Sequence, residues 1–172
     1  MKRIGRAAAI ACLLSVVPGV ALAQGKIAVL DIERAIFNTE EAKTQFQALQ
    51  ATPEFSKNKK DAEDIKKKYE GLAEQFNKNR DVLSAEQQAE QTKKLNELRT
   101  DLEFVAKKLQ QSQQEVAQRV MRDMGQRARS VIEEVVKSEG VGLLLNAQAA
   151  MHADAGYDIS AKVTDKLNQT KK

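Results

Sequence analysis

Thr52–Val116, TPEFSKNKKDAEDIKKKYEGLAEQFNKNRDVLSAEQQAEQTKKLNELRTDLEFVAKKLQQSQQEV, decides the fold of this chain. Thr52-Pro53-Glu54 opens a helix, with Thr as N-cap, Pro at the first helical position and an acid in the first turn. Phe55, Ala62, Ile65, Tyr69, Leu72, Phe76 and Leu83 then fall on the seam of one heptad frame, with Asn58 and Asn79 in its polar slots. Such a stripe is narrower than the face of a globular core helix; its sustained period favours a coiled coil over a plain amphipathic helix. The pattern breaks at Asp81–Ser84. Ser84-Ala85-Glu86-Gln87 has the S-x-x-Q form of a capping box, so a second helix starts there. Its seam is Leu95, Leu98, Leu102, Val105, Leu109 and Val116. Two such stripes joined by a short turn predict an antiparallel hairpin. At 1.5 Å per residue, arms of about 30 residues project on the order of 45 Å.

The outer faces of the hairpin are charged. Glu63–Lys67, Asp64–Lys68, Glu74–Lys78, Glu90–Lys94 and Glu103–Lys107 all have the favourable i, i+4 order. Each pair contributes ~0.3 kcal/mol, enough to support exposed helix but not tertiary structure. Gly71 is the weak point of the first arm and a place for a bend, at roughly 1 kcal/mol relative to Ala.

Working outward, the spacing loosens after Val116. Val120, Met124, Ala128, Val131, Ile132, Val135 and Val136 form a wider stripe with a nearly helical period, so this segment should pack on something larger than a second arm. Gly140 ends the helix. Val141–Leu145 reads as a compact apolar strand and Ala147–Ala153 as a second; Asp158 or Ser160 caps a last short helix carrying Val163 and Leu167. On the other side, Lys26–Asp31 (KIAVLD) reads as a buried strand, and Ile32–Gln50 as one or two short helices. The divisions expected are 1–23, 24–53, 54–115 and 116–172: a leader, a body segment, the hairpin arm, and a return helix with further body elements. The fold class is α+β, mostly α. Three short strands cannot bury both faces of a sheet or its edges, and closure with copies of the same chain is the natural remedy. Ile27, Val29, Val141, Leu143 and Leu145 should build that oligomeric body.

The leader tells where the chain works. Lys2, Arg3 and Arg6 precede the apolar run Ala7–Val17, a Pro18-Gly19 break and Ala21-Leu22-Ala23, the form of a secretory signal peptide cleaved after Ala23. Cys12 lies in that run and leaves with it. Three of the 28 basic residues go too, leaving 25 against 24 acidic ones. The mature chain is therefore nearly neutral, which with export argues against nucleic acid as a partner. With no mature cysteine there is no disulfide framework or thiol chemistry. His152 cannot form a metal cluster alone. Glu40-Glu41 and Glu133-Glu134 read as solvated helix charge, and no phosphate loop, dinucleotide fingerprint, nucleophile elbow or zinc motif is present. The expectation is a non-enzyme without cofactors.

Four features together resemble the Skp/OmpH family of periplasmic chaperones: the leader, the opening KIAVLDIERAI (26–36), the charged hairpin, and the ending GVGLLLNAQAAMHADAGYDISAKVTDKLN (140–168). The resemblance covers essentially the whole mature chain. It implies a jellyfish-shaped homotrimer, in which strands of three subunits form a small β body and three hairpins enclose a cavity. It also implies an ATP-independent holdase for unfolded outer-membrane proteins. Lys66, Lys67, Lys68, Lys78, Arg80, Lys93 and Lys94 are then the candidate client-binding residues, with lipopolysaccharide or a membrane surface as a further anionic partner. A structural or adaptor protein of the envelope is the alternative reading. Two departures stand out: Ala149-Ala150 is small for a body strand, and residues 54–110 carry 13 basic and 12 acidic residues, so the arm is close to neutral.

Overall fold

The computed structural model describes residues 25–170; the leader and its cleavage point lie outside them. Strand β1 (Lys26–Leu30) leads into α1 (Ile32–Phe37) and α2 (Glu40–Gln50), then α3 (Pro53–Asn79) and the 55-residue α4 (Ala85–Glu139), followed by β2 (Val141–Asn146) and α5 (Ser160–Gln169). The long hairpin and small strand pair match the α-rich α+β class expected from the pattern.

Short polar side chains set nearly every helix start. Asp31 accepts from the Arg34 amide at 2.9 Å, Thr39 from Ala42 at 3.2 Å, and Thr52 from Phe55 at 3.3 Å, with Pro53 at the first helical position. At the tip, the Ser84 hydroxyl accepts from the Gln87 amide at 3.3 Å while Gln87 Oε1 accepts from the Ser84 amide at 2.9 Å, completing the capping box. Each device satisfies amides that the first helical turn leaves without partners. Gly140, at φ 66°, takes the left-handed conformation that ends α4 and hands the chain to β2.

The arm is α3 laid antiparallel on the first half of α4. At 1.5 Å per residue, the 27 residues of α3 reach ~40 Å. Along the seam Ile65, Tyr69, Leu72, Phe76 and their counterparts Leu95, Leu98, Leu102, Val105 and Leu109 are only half-buried; full burial is confined to Phe55 and Val116 at the root. Asn58 is half-buried, as a polar seam position should be, whereas Asn79 is exposed because α3 ends there. The helix runs through Gly71 without interruption.

The body holds the core. Ile36, Met124, Val120, Val131, Val163 and Leu167 are all essentially inaccessible, and join α1, the lower half of α4 and α5 in one cluster with Ala28 and Leu30 of β1. The wide stripe of α4 therefore faces what its period called for. The Phe37 and Phe46 rings meet edge to face at 6.0 Å on the margin of this cluster. Inside it, the Thr164 hydroxyl donates to the Ala35 carbonyl at 2.8 Å and that of Thr39 to Ile36 at 2.7 Å, so these buried hydroxyls are satisfied.

β1 and β2 pair in parallel, with Ile27 opposite Leu143 and Val29 opposite Leu145. The other edge of β1 is capped at one point, where the Ile159 amide donates to the Val29 carbonyl at 3.0 Å. Gly25 and Gly142 cross closely at the start of the pair: a Cβ on Gly25 would lie 2.5 Å from the Gly142 Cα.

Two expectations need correction. Ala147–Ala153 is not a strand. Asn146 Oδ1 accepts from the Gln148 amide at 2.9 Å, folding Ala147–Ala149 into a 3-10 turn, and the small residues beyond offer no alternating apolar face to hold extended. Of the five expected i, i+4 ion pairs, two form, Glu74–Lys78 at 2.6 Å and Glu90–Lys94 at 2.7 Å; among the described residues Glu103 instead meets Arg99 at 3.8 Å.

Candidate functional site

Two surfaces stand out, the outer face of the strand pair and the flanks of the arm. Alternation along β1 sends Ala28 and Leu30 into the helical core and leaves Ile27 and Val29 on the opposite face, beside their partners Leu143 and Leu145. Ile27 is 51% exposed, Leu143 49% and Leu145 38%. Val141, grouped with them in sequence, belongs to the other side: the register shifts between Lys26 and Ile27, and Val141 packs on the core together with Leu144. A one-residue irregularity reverses the face of everything beyond it. Of the five body residues named from sequence, four thus share the outer face, three of them open. Among the described residues, β2 pairs only with β1, which leaves its second edge unpaired.

A polar cluster fixes the C-terminal segment beside this sheet. The Arg34 guanidinium pairs with Asp158 Oδ2 and donates to Ser160 Oγ at 3.2 Å; Ser160 Oγ also accepts from the Asp31 amide at 2.9 Å. The N-cap position of α5 is Ile159, not Asp158 or Ser160 as expected; Asp158, one residue earlier, accepts from the Ser160 amide through Oδ1 at 2.8 Å, while the Ser160 hydroxyl ties the helix start to α1. Partial burial pushes the Asp158 carboxyl up, but the Ser160 amide and hydroxyl and the Arg34 charge outweigh it and hold the group below its ordinary range.

The seven basic residues named for the arm do not form one patch. Lys66, Lys67 and Lys68 are consecutive, and consecutive residues fan around a helix instead of sharing a face. Four of the seven spend their charge on a neighbour of the same helix: Lys66 on Glu70 at 3.8 Å, Lys78 on Glu74 at 2.6 Å, Lys93 on Glu97 at 3.9 Å and Lys94 on Glu90 at 2.7 Å. The hydrogen bond from Lys94 lowers the Glu90 carboxyl pKa and raises that of the ammonium. Among the described residues Lys67, Lys68 and Arg80 have no such partner, and all seven are exposed.

Apolar groups that sequence reading passed over are also open. Phe104 stands outside the 102–105–109 seam and is 59% exposed, with Lys108 Nζ 4.6 Å from its ring centroid. Val82 at the tip and Met151 in the loop after β2 are almost wholly exposed. The usable signal was that Phe104 breaks the three-four rhythm of its own helix. At the root of the arm a cleft of about 560 Å³ opens beside Phe55, between Leu49, Val116 and Arg119. Among the described residues no three His, Cys, Asp or Glu side chains group to hold a metal ion, and no helix is long and apolar enough to cross a membrane.

Comparison with known proteins gives this architecture a family. The chain is 22% identical over 149 residues to a Skp-like protein of Pseudomonas aeruginosa, covering 87% of this chain and 88% of the relative. Among solved structures it is similar to a protein of Caulobacter crescentus described as an OmpH-like outer-membrane chaperone, at 17% identity, a TM-score of 0.46 and 86% coverage of each chain. The family model for the outer membrane protein (OmpH-like) group matches residues 26–167, from the first residue of β1 to the last buried leucine of α5, and the chain belongs to that family.

Proposed function

We propose that this chain is an ATP-independent holdase of the periplasm, exported and cleaved after Ala23. Three copies join through their strand pairs, and their arms enclose unfolded outer-membrane β-barrel proteins and keep them from aggregating. The observation that carries this reading is the division of the molecule: nearly all of its core lies in a body with an open apolar sheet face, while a long charged arm extends with no more than a half-buried seam. Parallel strands are normally covered on both faces, so Ile27, Leu143 and Leu145 call for a partner, and the unpaired edge of β2 is where a neighbour's strand would add. Kinship with the OmpH-like family and likeness to a protein named Skp-like support the same reading.

An unfolded barrel protein presents alternating apolar side chains that aggregate in water. A cage of charged arms keeps other chains out while making many weak contacts, and linking three arms multiplies those contacts without a tight site on any one. Lys67, Lys68 and Arg80, unpaired among the described residues, are better placed to attract an acidic client or lipopolysaccharide than Lys66, Lys78, Lys93 and Lys94, which are already neutralised.

The test is to dilute a urea-unfolded outer-membrane barrel protein into buffer with the mature chain and no nucleotide, following turbidity and the mass of soluble complexes. Suppressed turbidity with three copies per client supports the holdase. Unchanged turbidity, with a tight complex to one folded envelope protein instead, supports an adaptor. Leu143→Lys should dissociate the trimer, and an unaltered mass by light scattering counts against the sheet as its interface.

A further inference from the structure

The face of lower α4 directly opposite its buried stripe carries arginine where the arm carries lysine. Counting 3.6 residues per turn, the residues between 116 and 132 within about 60° of Arg122 are Gln118, Arg119, Gly125, Gln126 and Arg129. None is acidic; Glu115 and Glu133 stand at the two ends of the stretch. Arg119, Arg122 and Arg129 are exposed, and among the described residues none of them is in an ion pair, whereas Arg127, on another side of the same helix, pairs with Glu41. Arg119 and Arg122 lie three residues apart, a spacing at which like charges repel. Glu115 and Glu133 lie on the same face, four residues before Arg119 and four after Arg129, so Arg122 alone has no acid three or four residues away.

Gly125 is a second oddity of the same face. Glycine weakens a helix interior, and packing does not require it here: a Cβ at Gly125 would meet nothing within 4 Å. Its effect is to leave a notch between Arg122 and Arg129, whose Cα atoms lie ~10 Å apart along the axis. An extended backbone could approach the helix closely there. Gln118 and Gln126 flank the notch with amides that both donate and accept, which suits peptide groups and is half wasted on phosphates. Guanidinium forks on either side match carboxylates in two-pronged geometry.

We infer that Arg122, Gly125 and Arg129, with Gln118 and Gln126, form a docking strip for an extended, acidic segment of an unfolded polypeptide at the body end of the arm. This rests on the holdase reading and deepens it: it adds a charge-selective contact at the root of α4 to those of the arm lysines.

The probe is a fluorescein-labelled twelve-residue peptide alternating Asp with Ser, alongside the same peptide with Asn for Asp, titrated by anisotropy with the mature protein. The acidic peptide should bind and the Asn version should not. Arg122→Gln/Arg129→Gln should weaken binding at least about tenfold, the loss expected for a charge-assisted hydrogen bond. Gly125→Leu, which keeps both arginines, should weaken it comparably with the helix intact by circular dichroism. Lys57→Gln/Lys107→Gln, at exposed arm lysines, should leave it unchanged. The inference is overturned by equal affinities across these variants, by absence of peptide binding to the wild-type protein, or by anionic phospholipid vesicles binding in place of peptide. It is equally overturned if the arginine variants change the oligomer's mass, which makes the strip an interface between copies. If the wild-type protein fails to protect an unfolded barrel protein, the holdase reading itself falls; if it protects but the variants do not differ, only the docking strip does.

Discussion

Body and arm are built from the same helix, yet they are held together differently. In the body, besides the local pairs Arg34–Asp31 and Lys43–Glu40, ion pairs join distant elements: Arg34 to Asp158, Arg127 to Glu41, Lys162 to Glu139 and Lys166 to Glu134. In the arm, every ion pair links residues four apart on one helix. The contrast extends to burial, since the body encloses Ile36, Met124 and Leu167 almost completely while the seam above Phe55 and Val116 stays half open. A long-range network makes the body cooperative. The arm is supported turn by turn, so its stability is local and its two helices can fray without disturbing the core.

The largest perturbation should be Ile36→Ala, which empties a fully buried site in the body and should cost about 3–4 kcal/mol in urea unfolding. Leu98→Ala removes a half-buried seam residue and should cost about 1–2 kcal/mol, with faster amide exchange confined to the arm. If exchange also rises around Met124, the proposed independence of arm and body fails.

Asp158→Asn should cost about 1 kcal/mol at neutral pH by loosening α5 from α1. Because the folded carboxyl sits below its ordinary value, its stabilisation is complete above the unfolded aspartate pKa and disappears as pH falls through the lowered folded value. The gap between wild type and variant should accordingly close in acid; a constant gap would separate the cost from the carboxylate charge. The smallest effect should be a gain: Gly71→Ala, at an exposed site where an added Cβ meets nothing within 4 Å, should stabilise the arm by about 0.5–1 kcal/mol without moving the body's transition.

What could be read in advance follows from the range of the interaction involved. Capping at Thr52 and Ser84, the three-four seam and the wide stripe below Val116 depend on neighbours within two turns, and each is visible in the residues themselves. The inward turn of Val141 was not, because it depends on a register shift against a strand more than a hundred residues away. Nor was the Arg34–Asp158–Ser160 cluster, whose members are short polar residues with no periodic signature. The arm's ion-pair partners were only half legible: Glu103 has Arg99 and Lys107 one turn to either side, and sequence order alone does not choose between them.

The parallel pairing of β1 with β2 has a consequence in time. β1 lies at the start of the described chain, and the strand it hydrogen-bonds lies beyond the 110 residues between Leu30 and Val141. The sheet therefore cannot begin to zip until the whole hairpin has been made. Closing so long a loop is slow unless something shortens it, and the hairpin does so by folding on its own local contacts and bringing its two feet together. The arm is thus a folding aid for the body that carries it. Lengthening it should scarcely delay assembly, whereas loosening the turn at Ser84 should leave β1 waiting, unpaired, for its partner.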